Sequence, residues 1–499
     1  MAGSAAIVAI ASYVPPGRLA VRDVRRAWPG VGAPAGVGSV AVAGFDEDVV
    51  TMAVEAVDTL LGAAGVTGDD VDAVVLATCS SPYAEHSAAA EVARALDLPR
   101  GVALVDLAGS ARGGVVGLAA AADGVASGRW QRVVVVAADA RRGEPGTPVE
   151  ALGAGAVAAL VTPAGGARLG AAATWRHGVP TRWRPDGSRA LRSYDDARYE
   201  RDELVVPAVR GVVASLGGRA FTFAAGGHTD ARSPSVIARA SGLGEVDLGV
   251  DELAELSDLG TAGPLLALAH CLGRAEVGDE GLCFAVEPGA GADAVTVTVG
   301  DVESNLPPKR ERGLLPFRGQ VRGGVAESVV SVVHRRLETT EVDYVGFLRR
   351  HGVLEAAAMA PIVPWAATPG AQRDDLEGAL VGAECSACGS VSIPPRPVCL
   401  DCGSRSSTRR AVPRGGVVVT HNRQHVVAVH PEPAPVSVGV ARLDGLGGER
   451  GGQVSAMFCD SDLDAVRVGS PVELVYRRLG ADDGLVKYGW KLRLVAEGS

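Results

Sequence analysis

Residues 71–140 contain three apolar runs, VDAVVLATCS (71–80), VALVDLAGS (102–110) and WQRVVVVAADA (130–140), with Ala-rich helical stretches between them. Apolar strands that alternate with helices are typical of a mostly parallel sheet buried between layers of helices. The same alternation continues through the first 300 residues. The sequence therefore predicts a large α/β body.

Two segments of this body resemble each other. ALGAGAVAALV (151–161) and EPGAGADAVTVTV (287–299) each join a Gly-Ala-Gly-Ala turn to a Val-rich strand, and each closes a long α/β segment. A repeat of this kind predicts a duplicated body, with halves at residues 1–165 and 166–300.

Residues 301–378 differ in character from the body. Pro307, Pro308 and a charged KRERG stretch precede the run VAESVVSVVHRRL (325–337), and a Pro/Ala-rich segment follows it. This pattern predicts a connector with one or two helices that lie over the surface.

A small C-terminal module follows the connector. Residues 379–410 hold two CxxC pairs, and residues 411–499 contain five or six short strand-like runs with turns between them. Short strands at this spacing predict a small β-barrel.

The two cysteine pairs, CSAC and CLDC, are each followed by glycine. A CxxC turn places two thiolates about one tetrahedral edge apart, and a second turn completes the four-coordinate shell that Zn²⁺ prefers. Because a closed Cys₄ shell leaves no position for water or substrate, we expect a structural zinc ion. The predicted ligands are Cys385, Cys388, Cys399 and Cys402.

Charge and composition exclude several classes of partner. The 499-residue chain has a formal net charge of −10 and no basic stripe, so neither nucleic acid nor a membrane surface is an expected partner. Pro15 and Pro16 interrupt the apolar N-terminal run, which argues against a secretory signal or a membrane span. Isolated cysteines beside metal-binding pairs are typical of the reducing cytoplasm, which is the expected location.

Several segments of the body resemble the thiolase superfamily, most closely its branch of HMG-CoA synthases and initiating ketoacyl synthases. These segments are DEDVVTMAVEA (46–56), ATCSSPYAEH (77–86), VDLAGSARGG (105–114), the two Gly-Ala turns and GTAGPLLALA (260–269). Residues 379–499 resemble the zinc-ribbon plus OB-fold proteins that accompany thiolase-like enzymes. The two resemblances cover most of the chain.

The resemblance implies a thiolase-like five-layered α/β/α/β/α sandwich of two similar halves, followed by a zinc ribbon and a small OB-fold β-barrel. It also implies a homodimer with an active site between the halves, which a pantetheine arm enters from the surface. The implied substrates are thioesters of CoA or of an acyl-carrier protein. The OB module could dock a second enzyme.

The nucleophilic cysteine of the family falls at Ala111 in VDLAGSARGG. A methyl group cannot carry an acyl chain, so the ordinary acyl-enzyme route is closed. Ser110 is adjacent, but neighbouring residues on a helix point about 100° apart. Ser110 is therefore either a replacement nucleophile or a residue that caps and packs the helix.

The general-base glutamate of the family falls at Cys79 in ATCSSPYAEH. The Cys79 thiol is either a displaced nucleophile that faces the same cavity or a small buried apolar side chain. Glu85 and His86 follow at a predicted helix start, where we expect surface or dimer-contact residues.

The segment FAAGGHTDARSPSVIARASGLG (223–244) matches the stretch that presents the catalytic histidine of the family. The best register places Gly227 at that position and His228 one place later. His228 is therefore either a general acid or base in the cavity or a solvent-facing loop residue, and Asp230 could orient it.

The asparagine of the family falls at Asp258 in ELSDLGTAGPLLALA. A carboxylate there could accept a proton from carbon. It could equally cap the helix that follows.

These changes favour an enzyme that makes or breaks a C–C bond beside a thioester carbonyl, by aldol or Claisen chemistry, without a cysteine-bound acyl intermediate. Asp258 or His228 would handle the α-proton. Backbone N–H groups near Gly113 and Gly114 would stabilise the enolate or alkoxide.

Two alternatives remain open: a catalytically inactive thiolase-like partner, and an acyltransferase or hydrolase that uses Ser110 or Cys79. Polar side chains that converge in the cavity would favour chemistry, whereas an inactive site should fill with apolar side chains.

Overall fold

The structure is a computed structural model. It describes residues 3–495 except for 31–35, 195, 228–232, 251–252, 301–329, 336, 355–377, 426–434, 447–451 and 483.

The N-terminal half contains strands β1 (Ala5–Tyr13), β2 (Gly17–Ala20), β3 (Ser39–Val42), β4 (Ala73–Thr78), β5 (Ala103–Ala108), β6 (Val133–Ala140) and β7 (Ala154–Thr162), and helices α1 (Val21–Ala27), α2 (Val49–Ala64), α3 (Ala88–Ala95) and α4 (Gly113–Ala126). The C-terminal half contains strands β8 (Ala167–Arg176), β9 (Arg182–Trp183), β10 (Arg192–Ser193), β11 (Phe223–Gly226), β12 (Glu280–Glu287) and β13 (Gly291–Val299), and helices α5 (Ala197–Tyr199), α6 (Val206–Ser215), α7 (Ser233–Ser241), α8 (Leu253–Leu256) and α9 (Ala262–Leu272).

The remainder of the described chain contains β14 (Ser331–Arg335), β15 (Thr340–Val342), α10 (Tyr344–Arg350), β16 (Val381–Cys385), β17 (Val391–Ser392), β18 (Ser407–Ala411), β19 (Gly415–Gln424), β20 (Val436–Leu443), β21 (Gln453–Met457), β22 (Pro471–Asp482) and β23 (Leu485–Leu494).

The two halves repeat the same strand order. In the first half β1 pairs antiparallel with β7, β7 antiparallel with β6, and β6 parallel with β4. In the second half β8, β13, β12 and β11 pair in the same order and with the same directions. The repeated Gly-Ala segments lead into β7 and β13, which are equivalent strands, so the predicted duplication is confirmed.

Three apolar cores divide the body into five layers. One core packs α2 and α3 against the first half of the sheet, and another packs α6 and α7 against the second half. The third lies between the inner faces of the two halves and contains α4 and α9. The predicted five-layered sandwich is therefore confirmed, with α4 and α9 as its central layer.

The helix predicted within VAESVVSVVHRRL is wrong over its described part. Residues Ser331–Arg335 form β14, which pairs in parallel with Ala9–Tyr13 of β1. The β-branched run SVV suits an extended strand, and pairing with an existing strand overrides the helical periodicity. One helix of the connector is described, α10, and Asp343 caps its start by accepting the N–H of Gly346.

The C-terminal module contains two small sheets. The ribbon sheet has the order β17-β16-β18, and the second sheet is antiparallel with the order β21-β20-β19-β22-β23. The described pairings leave this second sheet open between β21 and β23, apart from an isolated bridge between Phe458 and Leu492.

A cluster of buried charges joins the module to α2. Glu55 of α2 lies 2.9 Å from Arg335, 2.9 Å from Arg477 and 3.1 Å from Arg493. Glu473 of β22 lies 2.7 Å from both Arg335 and Arg493. We call these five residues the interface cluster. It is continuous with an apolar core that α2 shares with the module, so the module is packed firmly on the body.

Candidate active site

A cavity of about 840 Å³ lies between the two halves, where the central helices α4 and α9 begin. All four positions at which the sequence departs from the family pattern line this cavity: Cys79, Ala111, Gly227 and Asp258. We call the part that they line the inner end. The resemblance therefore led to one connected site, although the four residues come from separate segments of the chain.

Ala111 lines the inner end one residue before the cap of α4, at the position where the family carries its nucleophilic cysteine. The hydroxyl of the neighbouring Ser110 donates to Glu287 Oε2 at 2.5 Å, and Glu287 belongs to the cavity wall. The N–H of Gly113 donates to the Ser110 carbonyl at 2.9 Å. That N–H is therefore already engaged and is a poor candidate for the predicted enolate stabiliser.

Cys79 is held at the inner end by Asp139, a buried carboxylate at the end of β6. The N–H of Cys79 donates to Asp139 Oδ1 at 2.8 Å, and the N–H of Thr261 donates to Oδ2 at 2.9 Å. Gly260 has a φ of 62°, and a Cβ there would come within 2.3 Å of Asp139 Oδ2. Asp139 thus fixes the end of β4 to the start of α9, and glycine is required where they meet.

The environment of Cys79 keeps its sulfur protonated. Burial and the neighbouring Asp139 carboxylate raise the pKa of the thiol far above its usual value. Because the thiolate is the reactive form, Cys79 matches the expectation of a small buried side chain better than that of a displaced nucleophile.

Asp258 is engaged in an ion pair. Its Oδ1 lies 2.6 Å from Arg141 Nη2 and accepts the N–H of Gly260 at 2.8 Å, while its Oδ2 lies 3.9 Å from Arg182 Nη1. Helix α9 begins at Ala262 with Thr261 as the flanking residue, so Asp258 shapes the preceding turn and does not cap the helix. Its Oδ2 accepts no hydrogen bond from another described residue.

Arg182 extends this ion pair into a row of four charges. Its Nη2 donates to Glu200 Oε2 at 3.0 Å, so the order is Arg141, Asp258, Arg182 and Glu200. We call these residues the charge row. Of these four residues the sequence predicts Asp258 alone, although Arg141 directly follows a predicted strand end, which is where functional side chains of α/β proteins commonly lie.

Gly227 packs directly against α9. A Cβ at this position would come within 2.7 Å of Pro264, so a side chain such as histidine would collide with the helix. His228 and Asp230 lie outside the described residues, and their roles stay a prediction. Glu85 is exposed and His86 bonds Glu91 at 3.0 Å on the surface, as expected.

The four cysteines of the ribbon converge as predicted, and their sulfur atoms all lie within 4.8 Å of one another. Cys385 and Cys402 have sulfurs 3.6 Å apart, and so do Cys388 and Cys399. A tetrahedral Cys₄ zinc site requires sulfur separations of about 3.8 Å, so the donor set fits Zn²⁺.

The ribbon and the body match known proteins separately. Residues 375–408 match the family model of the ChsH2 rubredoxin-like zinc ribbon domain. The hydroxymethylglutaryl-CoA synthase of Pyrobaculum neutrophilum is 30% identical over 316 residues, which are 60% of this chain and 89% of the relative. The chain belongs to the hydroxymethylglutaryl-CoA synthase family.

Solved structures agree on the fold of the family region. The structure of MvaS in complex with 3-hydroxy-3-methylglutaryl coenzyme A has a TM-score of 0.52 at 24% identity, covering 60% of this chain and 85% of that chain. The 3-oxoacyl-(acyl carrier protein) synthase III of Pseudomonas aeruginosa has the same TM-score and identity, covering 60% of this chain and all of that one.

This member of the hydroxymethylglutaryl-CoA synthase family has an arginine-rich entrance to its cavity, which we call the mouth. Its arginines come from the segment after β6, the β9–β10 region, α10 and β22, so no basic stripe is visible in the sequence. Burial and the like charges of Arg478 and Arg189 lower the pKa of Arg142 to about 10. The mouth arginines are Arg142, Arg184, Arg189, Arg350 and Arg478.

The hairpin between β22 and β23 brings the OB module to the mouth. Ala481, Gly484 and Val486 line the cavity beside the body residues. Tyr83 anchors this hairpin, because its hydroxyl accepts the N–H of Val486 at 2.9 Å. The module therefore forms part of the cavity wall.

Within the described part of the chain, no helix has the length and apolar character needed to cross a membrane.

Proposed function

We propose that this protein binds an acyl thioester in its cavity and makes or breaks a C–C bond beside the thioester carbonyl, without a cysteine-bound acyl intermediate. The observation that carries the proposal is which side chains line the inner end of the cavity. The nucleophile position is alanine, yet the cavity is open and its wall holds buried ionisable side chains. An inactive site under relaxed selection should instead fill with apolar side chains, whereas clustered buried charges mark functional sites.

The mouth suits the phosphate-bearing end of such a thioester. CoA and phosphopantetheine both carry phosphate, and clustered guanidinium groups bind phosphate through paired N–H donors. Arg142 and Arg478 lie close enough to repel each other, so an anion between them would relieve that repulsion. The OB hairpin would contact the same ligand from the opposite wall of the cavity.

The charge row supplies groups for the chemical step. In the cleavage direction, Asp258 Oδ2 would accept the proton of a β-hydroxyl group, the C2–C3 bond would break, and its electron pair would form the thioester enolate. The same proton, or one from solvent, would then reach C2, and the products would be a carbonyl compound and a shorter thioester. Aldol addition is the reverse reaction. Arg141 and Arg182 would stabilise the developing oxyanion.

Acyl transfer through a side chain is less well supported. The Cys79 thiol is held protonated, and the Ser110 hydroxyl is already engaged as a donor to Glu287. A carboxylate on a serine hydroxyl could act as a base, so Ser110 is the alternative that the experiment must address.

The test follows turnover and covalent state together. The full-length protein is incubated with a panel of acyl-CoA and acyl-carrier thioesters, and intact mass and small-molecule products are recorded. We expect product without an adduct, loss of turnover by about 10²-fold or more in Asp258→Asn, and a new acyl adduct in Ala111→Cys. Arg22→Gln, at an exposed ion pair with Glu341, serves as the control.

Three results would contradict the proposal. A stable adduct on the unmodified protein, located at Ser110 or Cys79 by peptide mapping, would support covalent acyl transfer. Absence of turnover with every thioester, combined with tight binding of another protein, would favour the inactive partner. Full activity in Asp258→Asn would remove that residue from the mechanism.

The homodimer and a second enzyme docked on the OB module stay predictions, which light scattering and co-purification would check.

A further inference from the structure

The charge row distinguishes the inner end of the cavity from its mouth. At the mouth the arginines lie next to one another and Asp48 is 3.6 Å from Arg478, whereas at the inner end each arginine alternates with a carboxylate. All four side chains of the row are at least 85% buried, with exposed fractions of 8% for Arg141, 13% for Asp258, 15% for Arg182 and 9% for Glu200. The formal charges of the row cancel.

Several polar atoms of the row have no hydrogen-bond partner within the described part of the chain. They include two donors, the Nε–H groups of Arg141 and Arg182, and one acceptor, Glu200 Oε1. All three residues line the cavity. The Nε–H groups of Arg350 and Arg478 at the mouth also lack a partner among the described residues, whereas the charge row combines such donors with an unpartnered acceptor. A buried polar atom without a partner costs free energy, so the row suits a ligand group that both donates and accepts hydrogen bonds.

The charges around the inner end also restrict which acyl chain can bind there. The row is neutral, and Glu287 adds a further carboxylate to the cavity wall. A carboxylate on the acyl chain would face three carboxylates and two arginines that are already paired. An alkyl chain would bury the unpartnered donors and acceptor against carbon.

We propose that the inner end receives an uncharged acyl group that carries a hydroxyl group. The hydroxyl donates to Asp258 Oδ2 or Glu200 Oε1 and accepts from an arginine Nε–H group. This inference rests on the proposed function, since it names the acyl group of the thioester bound at the same site. The ligand is then oriented by charge, with its phosphates at the arginine-rich mouth and its uncharged hydroxylated end at the charge row.

The experiment compares three CoA thioesters of the same acyl chain length by isothermal titration calorimetry with the full-length protein. They are butyryl-CoA, 3-hydroxybutyryl-CoA as separate enantiomers, and succinyl-CoA. We expect one hydroxybutyryl enantiomer to bind about tenfold more tightly than butyryl-CoA, as a hydrogen bond to a charged group implies, and succinyl-CoA to bind most weakly.

Two variants test whether the charge row is the source of the preference for the hydroxylated acyl chain. Asp258→Asn and Glu200→Gln keep the shape of the side chains, and each should reduce the preference for the hydroxylated chain while leaving butyryl-CoA binding within about twofold. Arg22→Gln should leave all affinities unchanged. Thermal unfolding of each variant identifies one that fails to fold, and the other variant then carries the test.

The outcomes separate the two proposals. Equal binding of the three thioesters, or tightest binding of succinyl-CoA, overturns the inference and leaves the proposed thioester site intact. A preference for the hydroxylated chain that survives in both variants also overturns it, because the charge row would not be its source. Absence of binding by every thioester and by free CoA overturns the proposed function as well.

Discussion

Two groups of arginines in this protein have opposite surroundings. In the interface cluster Arg335, Arg477 and Arg493 each contact at least two carboxylates, and the neighbouring acids raise the pKa of Arg477 and Arg493 further. At the mouth, Arg142 lies near other arginines, and its Nη1 donates to the His351 carbonyl at 3.0 Å. Among the mouth arginines, Arg478 has a carboxylate beside it, that of Asp48 at 3.6 Å.

The difference separates structural charge from charge that is available to a ligand. A buried charge that is matched within the fold holds two elements in one arrangement, and removal of its partner is costly. Like charges that outnumber the carboxylates beside them weaken the fold and are retained where an anion binds. The same residue type therefore connects the OB module to the body in one place and prepares a binding surface in another.

The largest expected effect comes from Glu55→Gln. Loss of this carboxylate leaves three buried guanidinium groups without their shared partner, and we expect about 3–5 kcal/mol of destabilisation. Urea unfolding followed by far-ultraviolet circular dichroism measures it, with Glu341→Gln, at a 78%-exposed side chain, as the control. A change below about 1 kcal/mol would show that the interface cluster does not hold the module.

The same cluster predicts an acid dependence. The three arginines hold the pKa of Glu55 far below its usual value. A depressed carboxyl pKa stabilises the fold above the pKa of the unfolded chain, and that stabilisation is lost as the pH falls toward the folded value. Unfolding free energy should therefore fall with acidification below about pH 5 in the unmodified protein, and by less in Glu55→Gln.

Removal of zinc should have a more local effect. The ribbon ligands lie apart from the interface cluster, so a chelator should release about one zinc ion per chain and expose amides of β16, β17 and β18 to hydrogen exchange. Protection of α2 and β22 should persist. Loss of protection throughout the body would mean that the ribbon, rather than the cluster, secures the module.

Arg142→Gln should affect binding and stability in opposite directions. Without this side chain the mouth loses one phosphate ligand, so CoA affinity should fall about tenfold. Stability should rise slightly, because a guanidinium with a pKa lowered to about 10 carries its charge at a cost near neutral pH. Calorimetry and thermal unfolding measure the two effects, and Arg22→Gln serves as the control for both.

Cys79→Ala should have the smallest effect. A protonated thiol that serves only to fill space can be replaced with a loss of less than about 1.5 kcal/mol and little change in turnover. A loss of turnover by 10²-fold would mean that the thiol reacts, and would revive acyl transfer through Cys79.

The zinc site and the duplicated body could be predicted because their signals are local. Four ligands lie within 18 residues, and each Gly-Ala turn is contiguous with its strand. The sequence predicts a helix over β14 because the apolar residues of this stretch also fit a helical period, and pairing with β1 decides the outcome. The two strands lie far apart in the sequence, so no short stretch of sequence shows that they pair.

The candidate site was only partly predictable for the same reason. Family motifs located Cys79, Ala111 and Asp258, which follow strands or precede helices of the central layer. Arg141, Arg182 and Glu200 were missed, because they belong to no motif and acquire meaning only when folding places them beside Asp258. Ion pairs between distant segments leave no periodic signal in the sequence.

The position of β14 changes which part of the gene is an exchangeable unit. A gene fragment that ends at codon 300 would encode a body in which Ala9–Tyr13 of β1 pairs with β7 alone and Glu55 lacks Arg335. Such a product would expose a sheet edge and be prone to aggregate. Recombination that trades OB modules between related genes would therefore preserve folding when the crossover falls before codon 331, so that the strand, its arginine and the module are inherited together.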